Sequence, residues 1–280
     1  MRVRNGSRTV SSKGLPVNKA AILRQLHAGP KILVLPNAWD AASARIFEDA
    51  GFPAIATTSA GIANSLGFPD GQHVSREEML DVIDRIVRAV SVPVTADVES
   101  GYEDALGTAL ALTDIGAAGM NLEDSLTTDA RTLIDLGTQV KTLEAVRAKT
   151  DLVINARTDV FLMSIGDPPT RLDRAIERLK AYVAVGADCV FVPGVRDAET
   201  IRLLAAVGRV NVLAVAGTPS IEELERLGVA RISVGSGVMR ASMGLTQRIA
   251  KELRDLGTYS SMTDGAMPYA EANRLFRSTQ

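Results

Sequence analysis

VTADVESGYEDALGTALALTDIGAAGMNLED, residues 94–124, holds the clearest signal of architecture in the chain. It opens on a short run with β-branched residues, 94–99, and closes on a second run, 119–123. The residues between them suit a helix, so the segment reads as strand, crossover helix and strand, the unit of a parallel sheet. Six further runs repeat the theme at 32–36, 54–59, 153–157, 189–193, 212–216 and 231–235. Amphipathic stretches at 76–90, 171–185 and 221–227 lie between them, with Ser75, Thr170 and Ser220 as candidate caps.

Eight such units without a charged linker predict a closed (β/α)₈ barrel of the TIM type, α/β in class, over residues 15–256. An open doubly wound sheet is the alternative topology. An extra helix over 17–28 is expected to plug the bottom of the barrel, and a long helix over 238–256 follows the last run. The polar tail 257–280 is expected to pack on another subunit. Residues 1–14 carry Arg2, Arg4, Arg8 and Lys13 but no apolar segment, so they read as a flexible tail and not a secretory signal.

Composition narrows the class. Of 280 residues 46% are hydrophobic but only 4% aromatic, the aliphatic bias of parallel sheets covered by helices. A formal net charge of -2 gives no basic field for nucleic acid, which favours a small-molecule partner. The lone Cys189 excludes an internal disulfide, and no apolar run reaches the roughly 18 residues of a membrane span. A soluble, cytoplasmic protein is expected.

Reactive groups in such a barrel collect at the C-terminal ends of the strands. Strict alternation along 94–99 would put Asp97 and Glu99 on one face and turn Val98 away. Glu123 ends the next run, and Asp70 sits in a Gly- and Pro-containing loop after the second. Oxygen-rich clusters of this kind suit Mg²⁺, with Mn²⁺ as a substitute. Without a cation the carboxylates would raise one another's pKa values unless Arg157 offsets them. The competing reading makes these acids ion-pair partners of neighbouring helices.

Small residues after the second run would let the amides of Ala60 and Gly61 approach a ligand oxygen, with the Ser59 hydroxyl beside them. A tight turn without ligand is the alternative. Arg157 offers a planar fork for a carboxylate or phosphonate, or else an ion pair with Asp159. Asp124 and Asp159 are read as structural. Gly235-Ser236-Gly237 is only a weak phosphate-turn signal, His27 and His73 read as surface or capping residues, and Trp39 is placed at the rim.

Five segments, LPNAWDAASA (35–44), TTSAGIANSLGFPD (57–70), ADVESGY (96–102), NLED (121–124) and NARTD (155–159), together resemble the isocitrate lyase and phosphoenolpyruvate mutase superfamily. The resemblance implies a barrel enzyme acting on a small 2-oxo acid through an enolate. It implies Asp97 as the principal Mg²⁺ ligand, with Glu99, Glu123 and Asp70 acting directly or through waters. Ser59, Ala60 and Gly61 would hold the substrate's oxo and carboxylate oxygens, and Arg157 its distal charge. A homo-oligomer, dimer or tetramer, with an exchanged C-terminal helix is also implied.

The departures are specific. Lyases of the superfamily carry a Cys-containing loop after the fourth strand, where this chain reads SLTTDAR at 125–131. Thr57 stands where mutases and methylisocitrate lyases place an aromatic residue, and Pro193 and Gly194 stand near the position of the mutase His. The expected reaction is therefore decarboxylation of oxaloacetate. Phosphonopyruvate P–C cleavage, a Cys-independent C–C lyase using Asp129 or water as its acid, and a non-catalytic 2-oxo acid binder are the alternatives.

Overall fold

In the computed structural model, which describes residues 18–126 and 132–277, all eight runs contribute parallel strands. They are β1 (Leu33–Leu35), β2 (Asn37–Ala38), β3 (Ile55–Thr57), β4 (Val94–Asp97), β5 (Gly119–Glu123), β6 (Val153–Arg157), β7 (Cys189–Phe191), β8 (Val210–Leu213) and β9 (Arg231–Ser233). The first run yields β1, and β2 follows just beyond it, separated by Pro36, which lacks an N–H. β1 pairs with β9 and β2 with β3, so the sheet returns to its start and the barrel closes. Asn37 spans the interruption. Its Oδ1 accepts from the amides of Val234 and Gly235 at 2.8 and 2.9 Å, and its Nδ2 donates to the Thr57 carbonyl at 2.8 Å.

The helices are α1 (Lys19–His27), α2 (Ala41–Asp49), α3 (Ser59–Ser65), α4 (Arg76–Ala89), α5 (Ala105–Asp114) and α6 (Leu136–Lys149). They continue with α7 (Arg171–Ala184), α8 (Ala198–Ala205), α9 (Ile221–Arg226), α10 (Gly237–Asp255), α11 (Ser260–Thr263) and α12 (Tyr269–Arg274). Period-2 alternation sorts the strand residues between two environments. Ala96, Met120, Leu122, Ile154 and Ala156 enter the apolar layer under the helices, against Ile83 and Ile86 of α4, Leu112 of α5 and Leu143 of α6. Each fully buried Ile or Leu there contributes roughly 1.5–3 kcal/mol. The alternate residues, Asp97, Asn121, Glu123, Asn155 and Arg157, share the lumen.

Ser75 and Glu78 form a reciprocal capping box at the start of α4, and Ser220 caps α9. Thr170 corrects its expected role: its hydroxyl donates to the Asp167 carbonyl at 2.8 Å in a short 3₁₀ turn and makes no cap bond to α7. α1 plugs the bottom as expected, Leu23 packing with Leu33, Leu35, Ala54, Ala56, Ala118 and Val153. His27, expected at the surface or as a cap, is buried in the last turn of α1 with Nδ1 2.8 Å from the Leu23 carbonyl oxygen. Burial, followed by the Arg231 charge, pushes its pKa down to about 4.

α10 runs 19 residues yet buries only Met239. Beyond it the chain is not a plain tail: α11 and α12 fold back, Leu275 is buried, and Arg274 pairs with Asp49 of α2 at 3.1 Å. Among the described residues no helix is long and apolar enough to cross a membrane. The segment 1–14 and Asp129 lie outside the described residues.

Candidate active site

Asp97 ends β4 in a fixed orientation. Its backbone N–H donates to the Thr57 hydroxyl at 2.8 Å, while its Oδ2 accepts from the Ser59 amide at 3.1 Å and the Ser59 hydroxyl at 2.9 Å. Thr57, the residue standing in place of an aromatic, thus anchors the acid from the neighbouring strand. Asp97 Oδ1 is buried and has no hydrogen-bond partner. An orphaned carboxylate oxygen is costly away from water, and a cation is the natural remedy.

Glu99 reaches the same volume by a different route from the expected strand alternation. β4 stops at Asp97, and Glu99 adopts a left-handed backbone with φ 53°. Val98 does turn into the apolar layer. Burial, then the charges of Glu123, Asp97 and Asp70, push the Glu99 carboxyl up to about 8. Asp70 hangs over the mouth from the exposed loop before α4, and partial desolvation followed by the Asp97 charge raises it as well.

Glu123, at the end of β5, accepts from the Ser125 hydroxyl at 2.6 Å and pairs with Arg157 Nη1 at 2.8 Å. Burial pushes its carboxyl up, and Arg157 opposes the rise. Arg157 is gripped on its other edge by Asp159, Nε at 2.6 Å and Nη2 at 3.0 Å, and lies 5.8 Å from the centre of the Phe191 ring. Asp159 is held in turn: its amide donates to Asp124 Oδ1 at 3.0 Å, and Asp124 Oδ2 accepts from Arg178 at 2.9 Å and Tyr182 at 2.7 Å. The two acids read as structural therefore form a chain of support from α7 to the site. This leaves N–H groups on Nη1 and Nη2 of Arg157 unspent.

The turn after β3 divides its labour differently from expectation. The Ser59 hydroxyl and amide both serve Asp97, and the Gly61 amide donates to the Thr58 hydroxyl at 3.2 Å as part of the α3 cap. Gly61 is required by packing, because a Cβ there would sit 2.5 Å from the Thr58 side chain and 3.1 Å from Trp39. Ala60 remains as the first-turn residue whose amide lacks a place in the helical ladder. At the opposite rim Gly194, φ 94°, leaves no room for a side chain against the Leu162 backbone, 3.0 Å from its would-be Cβ. The Gly235 amide is already committed to Asn37. Cys189 is buried within β7, and burial pushes its thiol up to about 12, outside the range of acid–base work near neutrality.

Among the described residues no three acidic, His or Cys side chains converge closely enough to share one ion directly. Asp97 Oδ1 as a single direct ligand, with Glu99, Glu123 and Asp70 around it, fits Mg²⁺, which keeps several waters and takes one or two protein carboxylates. Sequence reading missed Thr57 as an anchor and Arg231, a fully buried arginine in the lumen. A hydroxyl directly before the Thr58-Ser59 turn was the available signal for Thr57.

The family model described as phosphoenolpyruvate phosphomutase matches residues 23–254. An uncharacterized protein of Mycobacterium tuberculosis (strain ATCC 25618 / H37Rv) is 34% identical over 88% of this chain and 92% of its own length. An oxaloacetate decarboxylase of Bradyrhizobium diazoefficiens is 30% identical over 89% of this chain and 86% of its own. A solved structure of oxaloacetate acetylhydrolase with the product oxalate superposes with a TM-score of 0.81 at 26% identity, covering 92% of this chain and 93% of that one.

Proposed function

The chain belongs to the phosphoenolpyruvate phosphomutase family, and we propose that it is a Mg²⁺-dependent lyase that decarboxylates oxaloacetate through an enolate. The observation that carries this reading is Asp97, held by Ser59 through one oxygen and left with the other buried and bare among further carboxylates. Asp97 Oδ1 would hold the ion, with Glu99, Glu123 and Asp70 engaging it through waters, and Mn²⁺ would substitute. When bound, the ion supplies a Lewis acid that draws the electron pair released on C–C cleavage toward the oxo oxygen.

The chain's own residues do the rest. Ser59 keeps Asp97 in one orientation, and the Ala60 amide stabilises charge developing on the oxo oxygen. Arg157, rigid between Glu123 and Asp159, offers its unspent N–H groups to the distal carboxylate. Loss of CO₂ needs no protein acid at the bond-breaking step, since water can protonate the enolate afterwards. That requirement suits a site whose one thiol is buried inside a strand.

Hydrolytic cleavage of oxaloacetate is the second reading, supported by the likeness to oxaloacetate acetylhydrolase. Oligomerisation through α10 is part of the proposal, since Met243, Leu245, Leu253 and Leu256 are exposed on or just after it. Light scattering should show a dimer or tetramer, and a monomer at micromolar concentration would contradict it.

The test follows oxaloacetate by NMR with Mg²⁺. We expect pyruvate and CO₂ above the metal-only background and no glyoxylate from isocitrate. Asp97→Ala should lose turnover by a factor on the order of 100 or more while keeping the far-UV circular dichroism of a folded barrel. Oxalate and acetate as products would establish the second reading; a rate no faster than Mg²⁺ alone would refute both.

A further inference from the structure

Arg231 is fully buried in β9 and reaches across the barrel. β9 and β5 lie opposite one another in the closed sheet, yet Arg231 Nη2 comes within 3.4 Å of Asn121 Oδ1 on β5. Asn121 also accepts from Asn155 Nδ2 at 2.7 Å and pairs in register with Asp97 on β4. Glu123 stands two residues further along β5. The guanidinium therefore forms the floor of the site, one layer below Glu123 and beside Asp97.

No acid forms an ion pair with this cation among the described residues, and the Asp97 charge acts on it only through space. Its Nε and Nη1 have no hydrogen-bond partner, and its one polar contact is a neutral amide. The Cys189 thiol nearby stays protonated, because burial pushes it up to about 12. Burial lowers Arg231 itself to about 10, which still leaves it charged at neutral pH. A buried charge without a partner is costly, so its persistence calls for a compensating charge at longer range. The acids of the mouth outnumber Arg157 and supply part of it; an anion entering that mouth would supply more.

We propose that Arg231 is a specificity-determining residue that acts through space from the floor of the site and selects dianionic over monoanionic ligands, hence dicarboxylates. This deepens the oxaloacetate reading and rests on its placement of the substrate over Asp97. A through-space field scales with ligand charge, whereas damage to packing does not. One unit of charge behind a layer of side chains changes affinity by a factor on the order of three per unit of ligand charge.

The experiment measures Kd by calorimetry for oxalate and for pyruvate, with and without saturating Mn²⁺, in wild type and Arg231→Met. We expect oxalate to weaken by about tenfold and pyruvate by about threefold, with Mn²⁺ affinity, read from the free-ion EPR signal, not reduced. Equal losses for both anions, an unchanged oxalate Kd, or a parallel fall in Mn²⁺ affinity would overturn the assignment. Arg231→Gln repeats the test if the Met variant does not fold, and failure of both to fold would assign Arg231 to the core instead. Wild type that binds oxalate but no Mn²⁺ would sink only the metal reading, because the metal-free arm still decides Arg231. Wild type that binds neither would sink both.

Discussion

At the mouth of the barrel Arg157 is clasped by Glu123 at 2.8 Å and Asp159 at 2.6 Å; at the floor Arg231 spans the same lumen and meets only an amide oxygen at 3.4 Å. Both are buried arginines on inward-facing strand positions, so their surroundings and not their type set them apart. Arg157 is neutralised by contact, which makes it a rigid part. Arg231 is left charged toward the site, which makes it a source of field. A buried ion pair therefore mainly fixes geometry, whereas a buried unpaired ion responds to charge that arrives from elsewhere.

The largest test of that contrast is stability. Arg157→Met strands Glu123 and Asp159 without their partner and is expected to cost about 3–5 kcal/mol in urea unfolding. Arg231→Met removes a charge that has no partner and should leave stability unchanged or higher. Equal destabilisation by the two substitutions would erase the distinction.

Next in size is the pH response of the floor. His27 has its pKa depressed to about 4 in the fold against about 6.5 when unfolded, so the unfolded chain binds the extra proton between those values. The neutral-His contribution is fully present above about pH 6.5 and is lost as pH falls toward 4, an effect of about 3 kcal/mol. Glu99 at the mouth has the opposite sign: its carboxyl is raised to about 8, so stability falls as pH rises from the ordinary carboxylate range through that value. His27→Gln should flatten the acid limb of a stability profile and leave the alkaline limb intact. An acid limb identical to wild type would remove His27 from the account.

Smallest is the exchange of fork for point charge. Arg157→Lys keeps the cation but loses the two-edged grip, and oxalate binding should weaken by about tenfold. Indistinguishable affinities would take Arg157 off the list of ligand-facing groups.

Much of the fold was legible because strand and helix periods are local properties of the chain. The passage through 94–124 read correctly as strand, helix and strand, and the acids Asp97 and Glu123 were found at strand ends, where the architecture puts reactive groups. What escaped depends on the third dimension. Strand alternation does not reach Glu99, because the left-handed turn that aims it begins after β4 has ended. Gly61 read as an open approach for a ligand, but the pressure on it comes from Trp39 and Thr58. Arg231 begins its run with nothing in the local sequence to mark it as inward-facing, since its contact lies 110 residues away.

The Asn37 amide that spans the break at Pro36 has a consequence for how the barrel is made on the ribosome. It joins the start of the barrel to Val234 and Gly235, a separation of 197 and 198 residues. A nascent chain can form its early strand and helix units as they emerge, β2 pairing with β3 among them, but β1 stays an unpaired edge until β9 has been synthesised. Exposed edges recruit foreign strands. The short length of β1 and the proline that follows it weaken that edge as a template during the wait. The residue that interrupts the finished barrel thus protects the unfinished one.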